Sequence, residues 1–431
     1  MMRVLYFTGA YRPDSMVSHT HGELVAALRA RGAAVEIATV GGATPSDTMI
    51  SHTDPYGTTV WTIPVSHGRR ERLTRVWYAR AWAFAPFGGL VRALRAFLTP
   101  ERIANYDILH IGMAYPYATA FRHALHNRHS PPALVTITGG DILTDDETGY
   151  GYGRRFATRI AIRRTLRWAR LVQANSPRSA EVVASYGCPR ERIAIQPPQT
   201  PHEPLAVGAI AAYRARCRAE LAREGAIPRG PLLVGIGRMV AIKAYDDVIR
   251  ALPTIRTTHP ETTILLAGPA RDASARAYVT SLRALASSLG QHEYLRIMDQ
   301  IPFVDVPRYF AAADLALIPS LLDGLNKTGI EAAAVGTPSI VSTHAGLATY
   351  VQQFGAGAVV PPRNPPALAA AILRLLDDRT AWETASRNAS RMAESFSLDR
   401  TADGVIGLYH RLLAGEATRR SVLYSATDEQ G

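Results

Sequence analysis

The feature that most restricts this chain is a repeated alternation between apolar runs of strand length and amphipathic stretches of helix length. Strands are predicted at residues 3–8, 34–40, 58–63, 108–111, 134–138, 171–174 and 193–195, with a helix over 22–31 between the first two. Continuous apolar runs joined by helical crossovers argue for parallel sheets wound with helices on both faces. Residues 196–208 then become proline-rich, with Pro197, Pro198, Pro201 and Pro204, which suits a linker better than a helix or a central strand. After a helix over 213–224 the alternation restarts, with strands predicted at 232–237, 263–267, 294–298, 315–318, 339–341 and 358–360. The pattern predicts two doubly wound Rossmann-like domains, 1–200 and 201–395. A helix over 396–416 crosses back to brace the first domain, and residues 417–431 form a polar tail.

A chain of 431 residues exceeds what one core usually serves, which agrees with two domains. Its 47% hydrophobic and 19% charged residues fit an ordinary globular protein. The formal charge of +12 comes mostly from arginines scattered over both halves, with no zinc-finger spacing or RNA-reading aromatic motif. Small phosphorylated ligands or an anionic surface are therefore expected partners, and nucleic acid is not. Cys188 and Cys217 stand far apart, so neither a disulfide framework nor a structural zinc site is expected. The first eight residues read as a strand and no apolar run reaches membrane-spanning length, so a cytoplasmic protein is expected.

Ligands of open α/β sheets bind beyond the carboxyl ends of the strands, and three such places carry chemistry. Gly237 and Arg238 follow the first strand of the second half, and Lys243 comes five positions after Arg238. Two cations in one loop suit a diphosphate, although a basic pair alone is more often a solvated surface. Residues 320–331, Ser-Leu-Leu-Asp-Gly-Leu-Asn-Lys-Thr-Gly-Ile-Glu, leave the strand at 315–318 and open a helix that stops at Gly336-Thr337-Pro338. Amides at that helix start, around Lys327, Thr328 and Gly329, would face an anion with the helix dipole behind them. Asp323 and Glu331 could accept from sugar and ribose hydroxyls, or simply sit near a capped helix start. The third place is Thr138-Gly139-Gly140-Asp141, which read alone is a turn with a helix cap.

Arg238 and Lys243, followed by Asp323 and Glu331 with seven residues between them, resemble the donor site of the retaining glycosyltransferase family 4 (glycosyl transferases group 1). The resemblance covers most of the chain and implies a GT-B fold, two Rossmann-like domains facing a cleft. Glu331-Ala-Ala-Ala-Val-Gly-Thr-Pro338 follows the family closely. Asp323 replaces the commoner glutamate, Asn326-Lys327 replaces a glycine and an apolar residue, and Ala244 replaces the glycine after the lysine. The Asp-Gly-Leu-Asn run is closer to the trehalose-phosphate synthase form of the loop. Thr138 stands where a histidine is usual, Asp141 matches the family's aspartate, and the first loop, 11–21, lacks the usual Gly-Gly pair. In that loop His19 and His21 either touch an acceptor or sit at a helix start.

The resemblance implies a retaining transferase that moves a sugar from a nucleoside-diphosphate donor, UDP-linked or alternatively GDP-linked, to an acceptor hydroxyl of unknown type, on a glycan, a lipid or a small natural product. The donor would contact Gly237, Arg238, Lys243, Asp323, Gly324, Asn326, Lys327, Thr328, Gly329 and Glu331, and the acceptor Ser18, His19, Tyr115 and Thr138. Asp141, Arg238, Lys243 and Asp323 would carry the chemistry, with neither metal nor cofactor, since no Asp-x-Asp motif is present. Two other readings stand beside it, a nucleotide-sugar epimerase-like isomerase and a non-catalytic sugar-nucleotide or lipid-glycan binding protein. Arginines interleaved with Trp77, Tyr78, Trp82, Phe84 and Phe87 over 69–98 suit either inward-packing helices or peripheral contact with the inner face of an anionic membrane.

Overall fold

The computed structural model describes residues 1–9, 11, 16–40, 49–65 and 88–415, with the side chains of 16–18 excepted. Most of the arginine and aromatic stretch, residues 69–87, and the polar tail lie outside the described residues. Two compact units form, one from residues 1–199 and 398–431, the other from residues 200–397.

Among the described residues the first unit has eight strands: β1 (Met2–Thr8), β2 (Ala33–Val40), β3 (Ile50–Thr53), β4 (Thr59–Ile63), β5 (Ile108–Gly112), β6 (Ala133–Thr136), β7 (Leu171–Ala174) and β8 (Ile193–Ile195). Their order is β3-β4-β2-β1-β5-β6-β7-β8. Seven run parallel, and β3 pairs antiparallel with β4 at the edge. The expected parallel-sheet architecture is present, with β3 as an added antiparallel edge strand. All four residues of β3 are exposed, so it lacks the apolar run that marks the other strands. Helices α1 (Met16–Ala30), α2 (Thr119–Ala124) and α3 (Phe156–Trp168) belong to this unit. The helix expected from Gly22 begins six positions earlier.

The second unit has six parallel strands: β9 (Leu232–Ile236), β10 (Thr263–Ala267), β11 (Leu295–Met298), β12 (Leu315–Ile318), β13 (Ser339–Ser342) and β14 (Gly357–Val360). Their order is β11-β10-β9-β12-β13-β14. Leu233, Ile264, Leu266, Leu315 and Ile340 project from one face of this sheet into a core closed by α5 (Tyr245–Thr258), while Leu232, Val234, Leu265 and Ala316 pack on the other side with α4 (Ile210–Arg223). Burial on both faces is why these strands read as unbroken apolar runs. Helix α6 (Lys327–Ala334) follows β12.

The last helix, α7 (Leu398–Leu413), returns to the first unit. Val405, Leu408, Tyr409 and Leu412 join its core beside Leu24, Val25 and Leu28 of α1. Arg31 ties the two helices at the rim, reaching Asp403 at 2.6 Å and Asp399 at 2.8 Å. Beneath α7 the Tyr409 hydroxyl bonds His110 Nδ1 at 2.7 Å, and His110 Nε2 meets Thr136 Oγ1 at 2.7 Å. Burial, with a smaller contribution from His21, pushes the His110 imidazole down to about 3, so it stays neutral.

Candidate functional site

The strand order of the second sheet reverses between β9 and β12, so the loops leaving these two strands flank the point where open parallel sheets bind ligands. After β9 the chain passes Gly237, whose N–H donates to Ala267 O at 2.9 Å. The neighbouring Gly268 lies at φ +154°, and a side chain there would come within 1.8 Å of the Gly237 carbonyl, so only glycine allows this close passage. Exposed Arg238 follows. A short 3₁₀ turn, Ala241–Lys243, then presents Lys243, and Ala244 stops the turn at φ +49°.

The loop after β12 is stitched to both neighbours. Leu321 N–H donates to Ile242 O at 2.9 Å, Asp323 N–H to His344 O at 3.3 Å, and Gly346 N–H to Asp323 O at 3.0 Å. Buried Gly324 and Leu325 carry the chain to Asn326, which opens α6 at φ +79°. Asn326 Oδ1 accepts from Gly329 N–H and from the Thr328 hydroxyl, each at 2.9 Å. Its amide donates to Asp323 Oδ2 at 3.0 Å, the same oxygen that Lys243 Nζ reaches at 2.5 Å. The side chain at Gly329 is missing for steric reasons, since a Cβ would lie 2.3 Å from Leu347 and 2.4 Å from Ile318. The alanines after Glu331 favour helix until Gly336.

Electrostatics separate the two acidic residues. Burial pushes the Asp323 carboxyl up, but the charge and hydrogen bond of Lys243, helped by Asn326 and Arg238, outweigh it and hold the group below the usual carboxylate range. Glu331 is 2% exposed, and burial pushes its carboxyl up to about 7 against the pull of Lys327. Burial in turn lowers the Lys327 ammonium, with Glu331 opposing. Glu331 Oε1 has no hydrogen-bond partner among the described residues and lies 3.9 Å from His202 Nε2. The His202 ring stacks on Phe303 with centroids 4.5 Å apart. The motif pattern does not flag His202 or Phe303. His202 lies in the proline-rich segment, and only the fold brings it beside Glu331.

Two sequence expectations change here. Gly329 was expected to offer its amide to an anion, yet that N–H is spent on the Asn326 cap. Asp323 was expected to face sugar hydroxyls, whereas one of its oxygens is committed to Lys243 and Asn326.

In the first sheet the order reverses between β1 and β5. His19, on α1, meets the Tyr56 hydroxyl at 2.6 Å through Nδ1 and Glu23 at 3.2 Å through Nε2. Ser18 lies in the same helix, and its side chain is outside the described residues. Tyr115 is largely enclosed, its ring 5.2 Å from that of Tyr152. Thr138 turns its N–H and hydroxyl toward Asp141 Oδ1 at 3.1 and 3.3 Å. Asp141 is wholly buried and also accepts from Gly139 N–H at 2.7 Å and Ala114 N–H at 2.9 Å. Burial pushes its carboxyl up against these amides. The expected contact of Asp141 with a reacting sugar is thus replaced by a structural bond between the loops after β5 and β6.

Comparison with known proteins agrees with this geometry. Residues 17–199 match the family model "Glycosyl transferase 4-like domain" and residues 230–378 the model "Glycosyl transferases group 1". The chain is 32% identical over 216 residues to D-inositol 3-phosphate glycosyltransferase of Salinispora arenicola, covering 49% of this chain and 48% of that protein. It therefore spans about half the length of the curated relatives it matches. Among solved structures, sucrose-phosphate synthase from Thermosynechococcus elongatus superposes with a TM-score of 0.75 at 19% identity, covering 96% of this chain and all of the other (100%). Anabaena HepE in complex with UDP and glucose gives 0.68 at 17% identity, covering 95% and 100%. These likenesses establish the GT-B fold. With both of its units matched, the chain belongs to the glycosyl transferases of group 1.

Proposed function

We propose that the protein is a retaining glycosyltransferase that takes a sugar from a nucleoside-diphosphate sugar, UDP-linked in the first instance, and passes it to an acceptor hydroxyl. The observation that carries this reading is the meeting of Lys243 with Asp323, within electrostatic reach of Arg238, on the two loops that flank the reversal of the second sheet, with Glu331 in the helix that the second loop opens. Exposed Arg238 and the largely enclosed Lys243 would take the diphosphate, and the amides of Lys327 and Thr328 would add the positive end of α6. These groups would stabilise the charge that develops on the leaving phosphate as the glycosidic bond breaks. Asp323 would hold Lys243 in place and offer its second oxygen to the sugar.

Glu331, buried with one oxygen lacking a hydrogen-bond partner among the described residues, would accept from the ribose hydroxyls. The complex of HepE with UDP and glucose supports uridine as the first base to try. Relatives named for D-inositol 3-phosphate support a polyol acceptor. Acceptor recognition would fall to the first unit, where Ser18, His19, Tyr115 and Thr138 are the candidates and Asp141 positions Thr138 rather than touching substrate.

The test incubates purified protein with a panel of nucleotide sugars and inositol phosphates, following nucleoside diphosphate release and the anomeric configuration of the product by NMR. Release that depends on acceptor, gives a retained product and falls at least about a hundredfold in Arg238→Ala is expected, the loss typical of removing one charge-stabilising donor. Failure of every nucleotide sugar to bind, or unchanged binding in Arg238→Ala, would overturn the reading. Donor isomerised without acceptor would make it an epimerase instead.

A further inference from the structure

The donor loops leave unused a cavity of about 520 Å³ in the first unit, formed where α2 ends, β6 begins and α3 ends. It therefore opens at the amino ends of β6 and β7, the edge opposite the loop that carries Thr138 and Asp141. Its lining holds the guanidinium groups of Arg122, Arg128, Arg164 and Arg167 together with His126 and Trp168, and no aspartate or glutamate. Among the described residues none of these four arginines forms an ion pair.

Arg122 is half-buried, with Nη2 2.8 Å from His123 Nε2 and with a buried Nε that has no hydrogen-bond partner among the described residues. Burial and the proximity of Arg164 lower the Arg122 guanidinium, and burial with the neighbouring cations lowers His123, as expected where like charges are pressed together. The carbonyl ends of α2 and α3 offset part of this repulsion. Arg164 and Arg167, which line the cavity, are exposed.

We propose that this cavity is a second ligand site, built for a compact, multiply charged phosphate-bearing anion. Guanidinium groups hold phosphate oxygens in paired hydrogen bonds, and convergent arginines without a carboxylate among them gain most from such a ligand. Trp168 supplies an apolar wall for whatever carries the phosphate. The concave shape suits a phosphorylated small molecule or a single lipid headgroup better than a flat face. The site is independent of the donor reading, since it shares no residue with it.

Titration calorimetry of the full chain with tripolyphosphate at physiological ionic strength tests the proposal. A saturable site is expected that survives Arg238→Ala, apart from any binding at the donor loops, and weakens at least about tenfold in Arg164→Glu, the size of one or two lost charge-assisted hydrogen bonds. Arg167→Glu, also at an exposed position, serves as a second variant, and the thermal midpoint of each confirms folding. Flotation with phosphatidylglycerol vesicles separates the sources. Vesicle binding that tripolyphosphate displaces and Arg164→Glu abolishes identifies a headgroup, and tripolyphosphate binding without vesicle binding identifies a soluble ligand. Binding to neither probe, or binding abolished by Arg238→Ala and indifferent to Arg164→Glu and Arg167→Glu, overturns the proposal.

Discussion

Asp323 and Glu331 stand at opposite ends of one short segment and meet burial with opposite outcomes. The Lys243–Asp323 pair is largely enclosed, with the two side chains 16% and 18% exposed, so removing the carboxylate strands an ammonium that little water can reach. Asp323→Ala is expected to destabilise the second unit by about 3 kcal/mol in urea denaturation. Removing both charges in Asp323→Leu with Lys243→Met should restore much of that loss. Glu331 has only the weaker pull of Lys327 against its burial, which pushes its carboxyl up to about 7. A carboxyl raised in the folded state makes that state bind more protons, so its contribution to stability declines as pH rises from the ordinary glutamate value of about 4.3 to about 7 and is level above that. Ribose binding by an ionised acceptor runs the other way. Affinity for a nucleotide sugar, whose diphosphate does not titrate near neutrality, should rise with pH through about 7 and level off by pH ~8. Calorimetry across that range should lose this slope in Glu331→Gln, and an unchanged slope would remove Glu331 from the binding event.

At the scale of elements, α6 depends on a single residue for its start. Asn326 adopts a left-handed conformation and caps Gly329 N–H with its side chain. Asn326→Ala should cost roughly 2 kcal/mol, combining a lost cap with the strain of alanine at positive φ. Asn326→Gly loses the cap but tolerates the backbone, so it should cost only a few tenths. Equal losses in denaturant midpoints would show that the left-handed conformation costs alanine nothing. This element also marks what the sequence could reveal. Strands β7, β10 and β12 fall where their apolar runs predict them, because burial on both faces leaves an unbroken signature. Exposed β3 carries no such signature. The closeness of Lys243 to Asp323 is legible through family resemblance alone, since 80 positions separate them. The inward turn of Asp141 is not legible at all. A Gly-Gly-Asp run reads the same whether its carboxylate meets solvent or, as here, the amide of Ala114, 27 positions away.

At the scale of the whole molecule, the chain leaves the first unit at Gln199 and re-enters it at Leu398, which makes that unit discontinuous and the second continuous. The ends of the second unit are joined locally, with Thr200 N–H donating to Phe396 O at 2.7 Å. Among the described residues, its core clusters are built from residues of the second unit. The first unit instead depends on α7, whose Val405, Leu408, Tyr409 and Leu412 are each less than a tenth exposed. Burying four such side chains contributes on the order of 5–10 kcal/mol, comparable with the net stability of an entire domain. A fragment of residues 200–397 should therefore unfold cooperatively by calorimetry and retain nucleotide affinity, because every proposed donor residue lies within it. A fragment of residues 1–199 should be insoluble or bind a hydrophobic dye, and should recover when residues 398–415 are fused to it through a flexible linker. A stable, soluble 1–199 fragment would show that the returning helix is an accessory. A folded 200–397 fragment without nucleotide affinity would show that the donor site needs more than the second unit provides.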